Sequence, residues 1–429
     1  MSSSHFTGVL RTLLPPGLER IQQPSPTDEA QTAKVDFLFL YRSEKKRQYF
    51  SRVAREALGD YRCLLACYHN LPAARGRPLP SARLGELLNK AEQELFNARD
   101  GHWMVRLRPL LLWLRRIQIR KMHARLSALL DDLDPGVIVV WNGRKFQDHV
   151  LHAVNERGIP VVYFENGVLP ASTTVDTSGI NADSSIPRTV SFYSSRPEEH
   201  FTLHAASDRQ ARKRLVKKEF QAIFPKDVAR GMNILLPFQK ERDTQILDHS
   251  PWIRSMPQLY SVASQAIRTA GLGEYHLWLR EHPSAATNYP SICSQVAKAS
   301  DCSFANGARL ADWLAKMDLV ITINSSVGME ALLMGKKVIT LGLAFYNIPG
   351  LVEYADSPEA LTQAIQRVMT NPVDERLRQS FLSFLVNHYV VSGDWRKPDS
   401  HHWVALKERM VPALTMQARL ASAENLQFS

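Results

Sequence analysis

Several short stretches of this chain place ionisable or hydroxyl side chains where strands end and helices begin. Asn324-Ser325-Ser326 follows the strand formers Val320–Ile323 and precedes a helical pattern opening at Val327-Gly328-Met329-Glu330. A turn of this kind offers two hydroxyls and free backbone N–H groups at the positive end of a helix, which is a seat for a phosphate. The plainer alternative is that Ser only caps the helix. Gly328 allows close packing and Glu330 lies in the first turn. Beyond it, Gly342–Leu351 reads as a loop beside a nucleotide, with Tyr346 able to stack or hydrogen-bond.

Arg280-Glu281-His282-Pro283 is a second charged turn. Pro283 forces His282 out of helical geometry and holds its ring at a strand-to-loop corner. There it can donate to a phosphate oxygen and help a nucleotide leave. Arg280 can add charge-assisted hydrogen bonds. His-Pro pairs are nevertheless common in chains with no such role. In Leu236–Ile246, Asp243 has the chemistry of a nucleophile or of a group that stabilises an oxocarbenium ion. Gln239, Gln245, His249 and Ser250 are placed to position a sugar acid. For His249 and Ser250 the better reading is a solvated loop opening a helix, with Ser250 as N-cap and Pro251 at the first helical position. Finally, Glu165 in Phe164-Glu165-Asn166-Gly167 ends an apolar strand and faces the ligand crevice of a parallel sheet. It can exchange a proton with an alcohol, or merely cap the next segment.

The elements that must carry these turns read as two α/β sets. Residues 1–33 are polar and Pro-containing and read as a loose arm. Val35–Leu40, Val137–Trp141 and Val161–Phe164 are strand candidates, and 44–70 and 82–131 read as helices. Within 44–70, Cys63 and Cys67 then fall one helical turn apart. The run at 137–141 stops at Asn142-Gly143, as a parallel strand ends in a functional loop. Residues 206–230 read as a charged helical connector. A second set follows, with strands at 233–237, 276–279, 302–304, 319–323 and 338–341. Its helices read as 253–270, 308–316, 326–334 and 358–370, and 375–429 is mostly helical. The fold class is therefore α/β, with units at 1–33, 34–228, 229–380 and 381–429.

Hydrophobic residues at 45% and charged residues at 22% are ordinary for a soluble globular protein. The four Cys lack zinc-like spacing and read as small buried residues in a reducing compartment. No apolar run near the start suits a secretory signal, so a cytoplasmic location is expected. The net charge of +11 fits anionic substrates or anionic lipid. Nucleic acid is not expected, because no recognisable module accompanies the charge. Segment 103–122 can place Leu107, Leu110, Leu111, Leu114 and Ile117 on one helix face. Arginines surround that face, and Trp103 and Trp113 add amphipathic rings. It reads either as an ordinary packed helix or as a peripheral contact with the inner membrane.

Taken in order, FENGVLP (164–170), GINADSSIPR (179–188), LLPFQKERDTQILDHSPW (235–252), REHPS (280–284) and TINSSVGMEALLMGKKVITLGLAFYNIPGL (322–351) resemble the bacterial capsule and lipopolysaccharide β-Kdo transferases. The likeness covers roughly 137–352. It implies a GT-B-like fold, with two Rossmann-type α/β domains facing a cleft and C-terminal helices packing back. It implies CMP-Kdo as donor, a glycan or glycolipid as acceptor and retention at the anomeric carbon. No Asp-x-Asp motif is placed to hold a divalent ion, so no metal or other cofactor is expected. A looser similarity to bacterial GT-B sialyltransferases rests on the order of the acidic-Gly, His-Pro and Ser-Ser motifs. Carried over, Glu165 is the acid/base and His282, Ser325 and Ser326 hold the CMP phosphate. The retention that the Kdo transferase resemblance implies calls for an enzyme nucleophile, and Asp243 is the candidate. Arg280, Asn324, Gln239, Gly342 and Tyr346 complete the donor side. Where relatives carry a second acid, this chain has Asn166. An inverting CMP-sialic acid transferase and an inactive glycan-binding scaffold are the alternatives.

Overall fold

The computed structural model of the protein describes residues 18–20, 34–73, 76–96, 102–201, 231–241, 243–283, 289–306 and 309–427, without side chains at 102–105 and 416–427. The connector at 206–230 and most of the arm lie outside the described residues.

Two sheets organise the chain. The first contains β1 (Leu18–Arg20), β2 (Phe37–Tyr41), β3 (Cys63–Cys67), β4 (Val137–Trp141), β5 (Val161–Asn166) and β6 (Ser172–Asp176). The second contains β7 (Met232–Pro237), β8 (Tyr275–Arg280), β9 (Cys302–Phe304), β10 (Leu319–Thr322), β11 (Lys337–Thr340) and β12 (Glu353–Tyr354). A last strand, β13 (Val391–Ser392), returns to the first sheet and pairs antiparallel with β6. The orders are β1-β3-β2-β4-β5-β6-β13 and β12-β11-β10-β7-β8-β9. All pairs in the second sheet are parallel, as are β3-β2-β4-β5 in the first. The layout is the GT-B-like α/β arrangement expected from the sequence.

These orders fix where a ligand can sit. In the second sheet the chain winds from β7 out to β9, then crosses to β10 on the other side of β7. In the first it winds from β2 to β3 and then crosses to β4. Strand order reverses at both points, and the crevice beyond the carboxyl ends of the flanking strands is the natural ligand position. Every residue of β4 is buried, as a strand covered on both faces requires.

Three local expectations are corrected. The helix expected over 44–70 is helical only over Glu44–Arg52 and a π-helical turn, Val53–Ala57. Leu58-Gly59-Asp60 ends it, and Cys63–Cys67 is a strand registered against Phe37–Tyr41. Within the arm, Leu18–Arg20 is not loose but pairs antiparallel with β3. The helix expected at 253 starts at Met256, capped by Ser255, and Ser250 instead follows the short helix Thr244–His249.

The C-terminal helix Ser400–Gln427 packs back on the first sheet. Trp403, Leu406, Met410 and Ala413 share a buried cluster with Phe39, Val139 and Phe164. Helix Glu375–Phe384 joins the cluster around Trp278, Trp313 and Tyr346 on the second sheet. The end of the chain therefore braces both sheets.

Candidate active site

At the second switch point, the ends of β7 and β10 meet through two buried amides. Gln239 Nε2 donates to Asn324 Oδ1 at 2.9 Å, and the Asn324 backbone N–H donates to Gln239 Oε1 at 3.3 Å. Asn324 Nδ2 reaches the carbonyls of Gln245, His249 and Leu343 at 2.9, 3.2 and 3.2 Å. Both side chains were expected to meet the donor. Each is buried and committed to the protein, so they hold the crevice open from behind rather than line it. The same correction applies to Tyr346, which has no exposed surface and cannot stack on a base. Its hydroxyl donates to the Ser325 carbonyl at 2.6 Å, and Gly328 leaves room for its ring. At Gly342 a Cβ would stand 2.7 Å from the His249 carbonyl oxygen, so glycine permits that close approach.

These contacts present Ser325 and Ser326 at the crevice. Ser325 caps helix Ser326–Leu333, its hydroxyl accepting from the Val327 N–H at 3.2 Å, and Ser326 is exposed. Two strands away, β8 ends at Arg280, followed by half-buried His282. Arg280 donates to the Ala305 carbonyl at 2.6 Å. Burial lowers its pKa, and Glu330 in the helix behind Ser326 opposes the shift. Asp243 is exposed and caps helix Thr244–His249, accepting from the Gln245 N–H at 3.1 Å.

Glu165 ends β5 on the other sheet. Its Oε2 accepts from Asn142 Nδ2 at 2.8 Å, and its Oε1 accepts from the backbone and side-chain nitrogens of Asn166 at 2.8 and 2.7 Å. With two lone pairs per oxygen, one position on Oε2 is filled by none of these bonds. Asn142 has φ of 75° and Gly143 the same, a left-handed turn that suits Asn-Gly. The turn sends Arg144 to an ion pair with Asp183 and starts helix Phe146–Val154 at Lys145.

The two halves meet here. His249 Nε2 lies 3.0 Å from the Asp183 carboxylate, but too far off line for a hydrogen bond. Burial pushes the His249 pKa down to about 4, and Arg144, Lys90 and Arg188 add to the shift. Lys90 forms an ion pair with Asp248, and burial lowers its pKa to about 8. A cationic band from the first half thus borders helix Thr244–His249, whose Gln245 and His249 carbonyls accept from Asn324.

Around Glu165 the end of the chain supplies a wall. Trp395 Nε1 and Arg396 donate to Asn166 Oδ1 at 3.0 and 2.7 Å. Lys46, at the first switch point, places Nζ 2.7 Å from the Trp141 ring centroid and 3.3 Å from that of Trp395. The motif reading missed Arg144, Lys90, Lys46, Trp395 and Arg396. Only Arg144 had a sequence signal, the Asn-Gly pair before it.

The sequence profile of the capsule polysaccharide biosynthesis protein family matches residues 136–224 and 196–395. Protein FixF of Sinorhizobium fredii is 32% identical over 315 residues, covering 72% of this chain and 73% of that one. Among solved structures, the β-Kdo 2,7 transferase of KpsC from Thermosulfurimonas dismutans superposes with a TM-score of 0.45 at 15% identity, covering 87% of this chain and 99% of that one. The UDP-GlcNAc 2-epimerase of Neisseria meningitidis gives a TM-score of 0.38 at 12% identity, covering 89% and 100%. The family match runs on past the motifs to Trp395, and with the FixF identity it shows that this chain belongs to the capsule polysaccharide biosynthesis protein family.

Proposed function

We propose that the protein is a retaining β-Kdo glycosyltransferase that moves Kdo from CMP-Kdo to a cell-surface glycan or glycolipid. The observation that carries the reading is the Ser325-Ser326 helix start, held at a switch point by the Gln239–Asn324 amide pair. The helix N-terminus, the Ser325 and Ser326 hydroxyls and His282 take up the charge of the departing CMP phosphate. No metal is required in this scheme, and unchanged turnover in EDTA tests that point.

In the first step an Asp243 carboxylate oxygen bonds to C2 of Kdo, and the C2–O bond to phosphate breaks with its electron pair leaving on CMP. In the second, Glu165 accepts the proton of the acceptor hydroxyl. That oxygen bonds to C2 and the Asp243 ester bond breaks, so two inversions give net retention. The hydrogen bonds at Glu165 orient it as a proton acceptor.

Helix His102–Leu133 supports an acceptor held at a membrane. Leu107, Leu110, Trp113 and Leu114 are exposed on it, while Arg106, Arg116, Arg120 and Lys121 share the exposed surface. The alternative of an ordinary packed helix leaves these large apolar groups unexplained, whereas a surface of anionic lipid matches both features. Side chains at 102–105, including Trp103, lie outside the described residues. No helix among the described residues is long and apolar enough to cross a membrane.

Calorimetric titration with CMP, UDP and GDP tests the donor half without an acceptor. Selective CMP binding that is lost in His282→Ala is expected. A preference for UDP or GDP refutes the assignment. With CMP-Kdo, the anomeric configuration of the product distinguishes retention from the inversion of a sialyltransferase-like reaction.

A further inference from the structure

Lys46 is a half-buried amine. Among the described residues none forms an ion pair with it, and its amino group lies against two indole faces, those of Trp141 and Trp395. Removing an unpaired ammonium from water is costly, and cation–π contacts offset only part of that cost. Beside it stands Arg396, whose guanidinium stacks 4.6 Å over Trp395 and is anchored by Asp394 and Asn166. The two basic groups come from opposite ends of the chain, and both border Glu165 through Asn166 and the Trp141–Trp395 pair. The indole centroids are 4.8 Å apart at 60°, and Trp395 retains exposed surface. Basic donors held over an indole with exposed surface are the chemistry that receives the anionic substituent of a sugar.

Resting on the transferase reading above, we propose that Lys46, Trp395 and Arg396 form the acceptor subsite, which takes a saccharide carrying a carboxylate or phosphate and sets its hydroxyl against Glu165. The anion completes the missing ion pair of Lys46.

The subsite carries a proton signature. Burial pushes the Lys46 pKa down to about 6; Glu165 and Asp394 oppose that shift, and Arg396 and Arg42 reinforce it. Near pH 7.5 the free site is therefore largely unprotonated at Lys46. A bound anion stabilises the ammonium, so binding takes up a proton. Affinity for an anionic sugar should rise as pH falls from about 8 towards 6, by at most about tenfold per pH unit, and level off below.

The test titrates the full chain with glucuronic acid, glucose 6-phosphate and neutral glucose. Calorimetry is run in buffers of different ionisation enthalpy, and Trp fluorescence is followed in parallel. Expected are tighter binding of both anionic sugars than of glucose, proton uptake at pH 7.5, and at least about a tenfold loss in Lys46→Met and Arg396→Gln. Lys46→Arg should keep the affinity and lose the proton uptake, because Arg stays charged. If Lys46→Met fails to fold, Lys46→Arg and Arg396→Gln decide. If only the carboxylate or only the phosphate sugar binds, that result names the anion. No preference for anionic sugars over glucose overturns the proposal, as do wild-type affinities in all variants. CMP titrated into the same variants separates the two claims: failure of CMP binding in the wild type sinks the donor assignment while leaving the sugar result to judge the subsite.

Discussion

Gly328→Ala examines the part of the site on which the donor reading depends. A Cβ at 328 would stand 2.4 Å from the Tyr346 hydroxyl oxygen and 2.9 Å from the carbon that bears it. Tyr346 is completely buried and cannot swing aside. Overpacking of this kind costs ~1–3 kcal/mol. Displacing the hydroxyl from the Ser325 carbonyl costs a further ~1 kcal/mol. Replacing Gly by Ala within a helix returns ~1 kcal/mol. A net destabilisation of ~1–3 kcal/mol is therefore expected in urea unfolding, together with a fall in CMP affinity of about tenfold as the Ser325 turn shifts. Tyr346→Phe alone should cost ~1 kcal/mol, since the Ser325 carbonyl still accepts from the Gly328 N–H at 3.0 Å. The double variant removes the nearest clashing atom, so its loss should fall short of the sum by ~1 kcal/mol or more. Strict additivity, or a Gly328→Ala protein as stable as the parent, refutes the packing argument.

Asp243→Asn separates capping from catalysis: Asn caps as well as Asp, so unfolding should be unchanged while CMP-Kdo turnover falls by at least about a thousandfold. Turnover near normal removes Asp243 from the mechanism. Asn324→Ala strands Gln239 and leaves the carbonyls of Gln245, His249 and Leu343 without their shared donor, so a loss of ~2–4 kcal/mol is expected in denaturant unfolding. A change below ~1 kcal/mol would mean that the amide pair does not hold the crevice. Leu110→Glu with Leu114→Glu should abolish sedimentation with phosphatidylglycerol vesicles, and in the parent this binding should weaken as salt rises. Equal binding by parent and variant would count against the membrane face.

The sequence made the strands of both sheets readable wherever continuous apolar runs ended in turn residues, as at Val137–Trp141 and Leu319–Thr322. Cys63–Cys67 was misread because CLLAC carries no β-branched residue and abuts a true helix. Only pairing with β2, a tertiary contact, makes it a strand. At the site, residue types at strand ends indicated where chemistry lies but not which way each side chain turns. Gln239, Asn324 and Tyr346 have the functional groups of ligands, yet face inward. Ser325, Ser326 and His282 keep exposed surface at the sheet's edge. Lys46, Trp395 and Arg396 had no local signal at all, because hundreds of residues separate Lys46 from the Trp395-Arg396 pair and the return of β13 to β6 brings that pair to the sheet.

That return also accounts for Asn at position 166. Its side chain works in both directions, donating to Glu165 through Nδ2 while Oδ1 accepts from Trp395 and Arg396. An Asp could keep the two acceptor bonds, but it would lose the donor to Glu165 and set two carboxylates within hydrogen-bond distance, where like charges repel strongly. The amide therefore couples the orientation of the proposed base to the placement of the 393–397 segment. A shift of Trp395 and Arg396 would be felt at Glu165 through one side chain. An arrangement with an acid at 166 would have to orient Glu165 some other way. An amide rather than a titratable group at 166 and the placement of the 393–397 segment at the site are thus two sides of one structural solution.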